Sequence, residues 1–203
     1  MTAQADSVLT IFRDTGAYLS GHFRLTSGLH SPEYLHCALV LQHPARAEQL
    51  GVALAAELRH AAGGETIGVV VSPAMGGLII GHEVARALGT RFLFTERDAS
   101  SGKMILRRGF SLQPNEAAVV VEDVITTGGS TREVIEIVRA AGARPIAAGS
   151  IIDRSGGAAQ VGAPLLALAT LTVVSYPPDE CPLCRQGLPV SKPGSRATPG
   201  GAG

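Results

Sequence analysis

The sequence predicts one α/β domain, a central parallel sheet with helices on both faces, and three observations carry that prediction. Short apolar runs at Ile67–Val71, Arg91–Thr95, Ala117–Val121 and Pro145–Ile151 are separated by stretches of helical periodicity. Strands alternating with helices imply parallel pairing. Ala117 to Val121 is apolar throughout and rich in β-branched residues, so it reads as a strand buried on both faces. At 203 residues the chain can bury the core of one such domain.

The elements follow in order. Residues before about Tyr34 read as a small helical and irregular cap. Ala45–Ala62 is an amphipathic helix, with Leu50, Leu54 and Leu58 on one side and Glu48, Glu57 and Arg59 elsewhere. The strand Ile67–Val71 leads through a loop, Ser72–Gly77, into a helix over Leu78–Leu88. After the strand Arg91–Thr95 comes a polar segment, Glu96–Arg108, with Gly102, Arg97, Lys103, Arg107 and Arg108. The next helix follows Ala117–Val121: Ser130 and Glu133 have capping-box spacing, and Val134, Ile137, Val138 and Ala141 form one stripe. Gly142 stands where a C-terminal cap is expected. Pro145–Ile151 ends at Asp153 and Arg154, and a last buried strand lies near Leu168–Val174. Residues 1–190 are expected to form a single domain with no internal repeat; 191–203, rich in Gly, Pro and Ser, read as a disordered tail.

Composition narrows the class without choosing a function. Seventeen basic and seventeen acidic residues cancel, so no global field draws in nucleic acid or an anionic membrane. Three cysteines, an odd number, argue against a disulfide framework and for a reducing, cytoplasmic setting. The first twenty residues carry Asp6, Arg13 and Asp14 and lack the apolar core of a signal peptide. The uncharged stretch from Arg154 to Asp179 is broken by Gln160, Pro164 and paired glycines. Its apolar part falls short of the ~20 residues needed to span hydrocarbon.

The richest motif is Val119-Val120-Val121-Glu122-Asp123-Val124-Ile125-Thr126-Thr127-Gly128-Gly129-Ser130. An apolar run passes into two carboxylates, then a hydroxyl- and glycine-rich turn, then a helix. Glu122 and Asp123 stand at the carboxyl end of the strand, where open α/β sheets place ligands. Carboxylates suit ribose hydroxyls. The N–H groups of Thr126 to Ser130, at the positive end of a helix, suit a phosphate, and Gly128 and Gly129 let it approach the backbone. A tight strand-to-helix turn with solvated acids is the bland alternative, but the full order favours a sugar phosphate. Neither a P-loop nor a dinucleotide-binding glycine pattern is present.

At these residues the chain resembles the type I phosphoribosyltransferases, whose signature loop, here Glu122 to Ser130, wraps the 5-phosphate of 5-phosphoribosyl 1-diphosphate (PRPP). Three further blocks resemble the orotate phosphoribosyltransferases. Gly21 to Leu35 is similar to their F-x-L-x-S-G-x-x-S-P segment, and Ser72-Pro73-Ala74-Met75-Gly76-Gly77 looks like their pyrophosphate loop. Ile152-Asp153-Arg154 ends in the arginine that would hold the orotate carboxylate, with Thr126 also at the orotate site. The resemblance runs in collinear order from about Ile11 to Arg185. It implies the family fold with a small hood (about residues 1–40 and the C-terminal part), Mg²⁺ held mainly by substrate with Glu122 and Asp123 as possible aids, and a homodimer. It also implies that Glu96–Met104 is a lid reaching into the partner's site, with Lys103 its essential lysine and Arg97 that residue's partner. An exposed surface hairpin is the competing reading. The chain departs from many members in carrying Thr26 and Gly76 where they place lysines; Arg107, Arg108 or Mg²⁺ are candidates to compensate, beside solvated roles for both arginines.

Cys181-Pro182-Leu183-Cys184 offers two metal ligands with no second pair, Cys37 being remote, so a packed turn is favoured over a metal or redox site. The six histidines show no ligand spacing; packing or exposure is expected for His22 and His30. The rival functions are a phosphoribosyltransferase for another base and a PRPP-sensing regulator, the latter without the basic face or appended segment it needs.

Overall fold

Val119, Val120 and Val121 sit at the middle of the sheet with no exposed surface, and the two faces of their strand open onto two separate apolar cores. The computed structural model describes residues 3–25 and 27–193. Along the chain these form α1 (Ala3–Asp14), β1 (Tyr18–Arg24), β2 (His30–Leu35), α2 (Cys37–Leu41), α3 (Pro44–Ala61), β3 (Val69–Pro73), α4 (Gly77–Leu88) and β4 (Arg91–Arg97). Then come β5 (Met104–Leu106), β6 (Ala117–Ile125), α5 (Gly129–Ala140), β7 (Arg144–Asp153), β8 (Leu165–Thr170), a 3₁₀ turn (Pro178–Glu180) and α6 (Pro182–Arg185).

The six-stranded sheet has the order β5-β4-β3-β6-β7-β8, and every pair is parallel except β4–β5. Alternation along β6 divides the molecule. Val119 and Val121 face α1, α3 and α4 through Phe12, Leu54 and Ile80, whereas Ala118 and Val120 face α5 through Val134, Ile135 and Val138. Each large apolar side chain so buried contributes about 1.5–3 kcal/mol relative to exposure. Leu50, Leu54 and Leu58 fill one side of α3, as the periodicity required. The chain winds from β3 outward to β4, then returns to the other side of β3 as β6. The carboxyl ends of β3 and β6 therefore flank the topological switch point, the crevice where such sheets bind ligands.

Several expectations are corrected. The segment before Tyr34 contains the expected helix, α1, but the part read as irregular is an antiparallel hairpin, β1–β2. β6 does not stop at Val121: pairing with β7 continues through Glu122↔Ser150, Val124↔Ile152 and Ile125↔Asp153, which holds the carboxylates in extended backbone. Ser130 is not an N-cap. Gly128, at φ 75°, takes that place without a side-chain cap, and Glu133 turns to Arg97 instead of closing a capping box. Gly142, at φ 81°, does close the C-terminus of α5 as expected, in the left-handed position just after Ala141. β8 comes earlier than Leu168–Val174, because Leu165 to Thr170 supplies the partners of β7. Ser191 is not part of a free tail: its N–H donates to His22 O at 2.9 Å, and its carbonyl accepts from Arg24 N at 2.8 Å. The rest of the expected tail, 194–203, lies outside the described residues, as does Thr26. Among the described residues no helix is long and apolar enough to cross a membrane.

Candidate active site

Two cavities adjoin at the carboxyl end of β6. The first, about 220 Å³, is enclosed by Glu122, the turn Val124 to Ser130, and Arg97. The second, about 430 Å³, lies under the hood between Tyr34, Arg154, Leu25, Leu29 and Val173. Val124, Thr126 and Thr127 line both, so one stretch of main chain forms the wall between two lobes.

The phosphate-like lobe follows from the backbone of the turn. Gly128 adopts a left-handed conformation, and a Cβ there would come within 2.6 Å of Val161 Cγ1. Among the described residues, the N–H groups of Thr126, Thr127 and Gly128 have no acceptor. Unpaired donors at a helix start are what an anion needs. Arg97, at the end of β4, reaches the rim, where it donates two 3.0 Å hydrogen bonds to Glu133 and lies 3.4 Å from Ser130 Oγ.

Glu122 and Asp123 are half-buried side by side. Burial first, then the adjacent Asp123 carboxylate, pushes Glu122 up to about 9. Burial also raises Asp123, against the pull of the N–H of Val124, which donates to Asp123 Oδ1 at 2.8 Å. No lysine or arginine pairs with either acid among the described residues. The loop after β3 presses against this pair: a Cβ on Gly76 would lie 2.6 Å from Asp123 Oδ1. A side chain at position 76 would therefore have to displace the Asp123 carboxylate. The Ala74–Met75 peptide of that loop is cis, and Met75 is exposed.

In the hood lobe, Asp153 is buried and accepts hydrogen bonds from Ser155 N, Ser155 Oγ and Gly157 N. That turn, with Arg154 N donating to Ile125 O at 2.8 Å, directs Arg154 toward the lobe. The guanidinium carbon stands 6.0 Å from the centre of the Tyr34 ring, and its buried Nε has no hydrogen-bond partner. Burial lowers the Arg154 pKa from the usual arginine value, but a guanidinium keeps its charge. A half-buried cation with an unused donor is complementary to an anionic group.

A family model for the phosphoribosyl transferase domain matches residues 36–172. The chain is 57% identical over 191 residues to orotate phosphoribosyltransferase of Pelotomaculum thermopropionicum, covering 94% of this chain and 97% of that one. It is 53% identical over 191 residues to the protein of that name from Heliobacterium modesticaldum, covering 94% and 98%. The chain belongs to the orotate phosphoribosyltransferase family. The crystal structure of orotate phosphoribosyltransferase from Aeropyrum pernix matches with a TM-score of 0.65 at 27% identity, over 81% of this chain and 93% of that one. An adenine phosphoribosyltransferase, at 19% identity and a TM-score of 0.63 over 82% and 99%, shares the fold alone.

The residues of the family signature, Glu122, Val124, Ile125, Thr126, Thr127, Gly128, Gly129 and Ser130, converge on the first lobe, and Arg154 and Thr126 on the second. Asp123 lies behind them against Gly76. Lys103 does not line either lobe of its own chain; it lines a surface depression that adjoins the first lobe and shares Gly129 and Glu133 with it. Arg108 is held by Glu96 through two 2.7 Å hydrogen bonds, which favours its solvated, structural reading. Sequence reasoning missed Tyr34, which stacks beside Arg154, and Glu133, which holds Arg97. Tyr34 lies inside the family-like block Gly21 to Leu35, so its position carried the signal; Glu133 was visible only as a capping residue.

Proposed function

We propose that this chain transfers the phosphoribosyl group from PRPP to orotate, giving orotidine 5′-phosphate and pyrophosphate for pyrimidine biosynthesis. One observation carries the reading: an anion-binding turn and a carboxylate-binding arginine open onto two lobes that share Thr126 and Thr127. The unpaired N–H groups of the turn hold the 5-phosphate. Glu122 and Asp123 accept hydrogen bonds from the 2- and 3-hydroxyls and place negative charge beside an anomeric carbon that turns cationic as its bond to pyrophosphate stretches. Arg154 fixes the orotate carboxylate so that N1 meets that carbon from the face opposite the leaving group, inverting it. Positioning and fixed charge supply most of the rate, because orotate already reacts as an anion.

The donor set suits Mg²⁺. Glu122 and Asp123 offer only oxygen, and two crowded acids without a basic partner favour a cation nearby. When bound, chiefly through the substrate, Mg²⁺ would neutralise charge on the departing pyrophosphate. Lys103 lines neither lobe of its own chain, which leaves it free to serve a neighbouring subunit in a homodimer through the Glu96–Met104 lid, with Arg97 as its partner residue. The odd cysteine count supports a cytoplasmic setting.

The decisive assay follows orotate loss by absorbance with PRPP, with and without Mg²⁺, beside uracil, adenine and hypoxanthine. Orotate is expected to be consumed only with PRPP and Mg²⁺. Turnover of a purine with orotate untouched would assign the hood lobe to another base.

A further inference from the structure

Outside both lobes, four side chains far apart in sequence meet at one point. His22 comes from β1, His30 from the first position of β2, Cys181 from just before α6 and Cys184 from within it. One ligand atom from each lies within 4.8 Å of all the others. His22 Nε2 is 2.8 Å from His30 Nδ1, 3.6 Å from Cys181 Sγ and 3.7 Å from Cys184 Sγ, and Cys184 Sγ is 3.2 Å from His30 Nδ1. Tetrahedral zinc, with bonds of about 2.0–2.1 Å to nitrogen and 2.3 Å to sulfur, sets its ligand atoms roughly 3.3–3.8 Å apart. These four spacings fall in or within about half an ångström of that range, and the remaining two pairs, both involving Cys181, lie within 4.8 Å. His22, His30 and Cys181 are buried, and Cys184 closes the outer side.

Hydrogen bonding accounts for this cluster poorly. His22 Nδ1 lies 2.8 Å from Leu188 O, an acceptor that can only place the proton on Nδ1. Nε2 is then left with a single lone pair, toward which one imidazole and two thiols crowd. A cation at their centre satisfies all four ligand atoms, and the Leu188 carbonyl is the outer hydrogen bond that metal-bound histidines ordinarily make. Two thiolates and two neutral imidazoles balance the charge of a divalent ion, which permits burial. We propose that His22, His30, Cys181 and Cys184 bind one structural Zn²⁺. With four protein ligands the site is closed and has no position for substrate.

The location gives the metal a task. His22 and His30 bracket the hairpin loop that carries Leu25, Ser27 and Leu29 into the hood lobe. Cys181 and Cys184 anchor the segment that follows Val173 and Ser175, which also line that lobe. The two strands of chain are otherwise joined by paired backbone hydrogen bonds between His30 and Tyr176, both 2.8 Å, and by Ser31 Oγ donating to Val174 O. Zinc would lock these two segments together. The metal claim stands on the four side chains; its effect on orotate rests on the function proposed above.

The test uses the full chain, purified untagged with reductant and dialysed, with zinc measured by elemental analysis. About one equivalent per chain is expected, and replacement by Co²⁺ should give the intense visible absorption of a tetrahedral site together with thiolate charge-transfer bands. Cys184→Ser should weaken retention at least tenfold and shift those bands, while a strong chelator lowers the Tm of the wild type. Folded, reduced wild-type protein with no zinc and a featureless Co²⁺ spectrum would overturn the site, as would a Cys181–Cys184 disulfide persisting under reductant. Neither of these outcomes requires a variant to fold. Zinc removal should also raise the KM for orotate several-fold more than that for PRPP. An unchanged KM alongside confirmed zinc would remove the role at the hood lobe and leave the metal site in place.

Discussion

Arg154 and Glu122 show how single side chains are held ready for a ligand at some cost to the free protein. Arg154 Nε is buried without a partner, so the ligand is expected to supply the missing acceptor. Arg154→Ala should raise the KM for orotate by ~10–100-fold, the scale of losing a charge-assisted hydrogen bond, and change the KM for PRPP little. Equal small effects on both would take Arg154 out of the base site. Glu122 carries the opposite burden. Its pKa in the folded chain, raised to about 9, exceeds the usual carboxylate value. The stability it contributes is therefore complete below about pH 4 and drains away as pH rises toward 9. Glu122→Gln keeps the shape without the ionisation. Thermal melts of substrate-free protein should show the variant more stable than wild type at pH 8 and indistinguishable at pH 4, with each kcal/mol worth about 2–4 °C. PRPP should nevertheless bind the variant less tightly. A variant that melts lower at pH 8 would mean that the Glu122 carboxylate is stabilising, contrary to its burial.

At the scale of elements, the site is a strand end and a helix start joined by a turn whose geometry was only half legible in the sequence. The stripe of α5 and the apolar run of β6 could be read because each depends on local periodicity alone. The N-terminus of α5 could not. Gly128 takes the cap position in a left-handed conformation packed against Val161, thirty-odd residues away, and Glu133 is claimed by Arg97 from another strand. In the same way, β6 extends through two carboxylates because β7 supplies partners, a fact of the neighbouring strand. The Arg97–Glu133 pair then has a testable consequence. Both side chains are substantially exposed, at 48% and 42%, so the pair should contribute at most about 1 kcal/mol to stability. It does, however, occupy the arginine nearest the phosphate-like lobe and adds a negative charge at its rim. Glu133→Gln should leave the Tm within a few degrees and lower the KM for PRPP about two- to fivefold. A raised KM would instead show that Glu133 holds Arg97 where the substrate needs it.

For the whole molecule, the parallel sheet and its switch point were legible because alternating strand and helix patterns permit few topologies. The hood was not. Its hairpin contains Pro32 and several polar residues, and its Cys–His cluster joins positions more than 150 residues apart, so no local spacing announces it. Lys103, on the connection between β4 and β5, lines neither lobe of its own chain. If it completes a partner's site, the dimer is the catalytic unit, and two inactive proteins can repair one another. Lys103→Ala should lower kcat ~10²-fold, the loss expected for one charge contact to the transition state, and Arg154→Ala should be nearly inactive at low orotate. A hybrid dimer of the two has one site lacking both residues and one site with both intact. After equal mixing and subunit exchange, half the dimers are hybrids with one working site of two, so activity should recover to about a quarter of the wild-type value. Were Lys103 to act within its own chain, each site in the hybrid would lack one residue or the other, and mixing would restore nothing. Subunit exchange is checked separately by mass-tagging one variant, so that absent recovery alongside proven exchange assigns Lys103 to its own subunit.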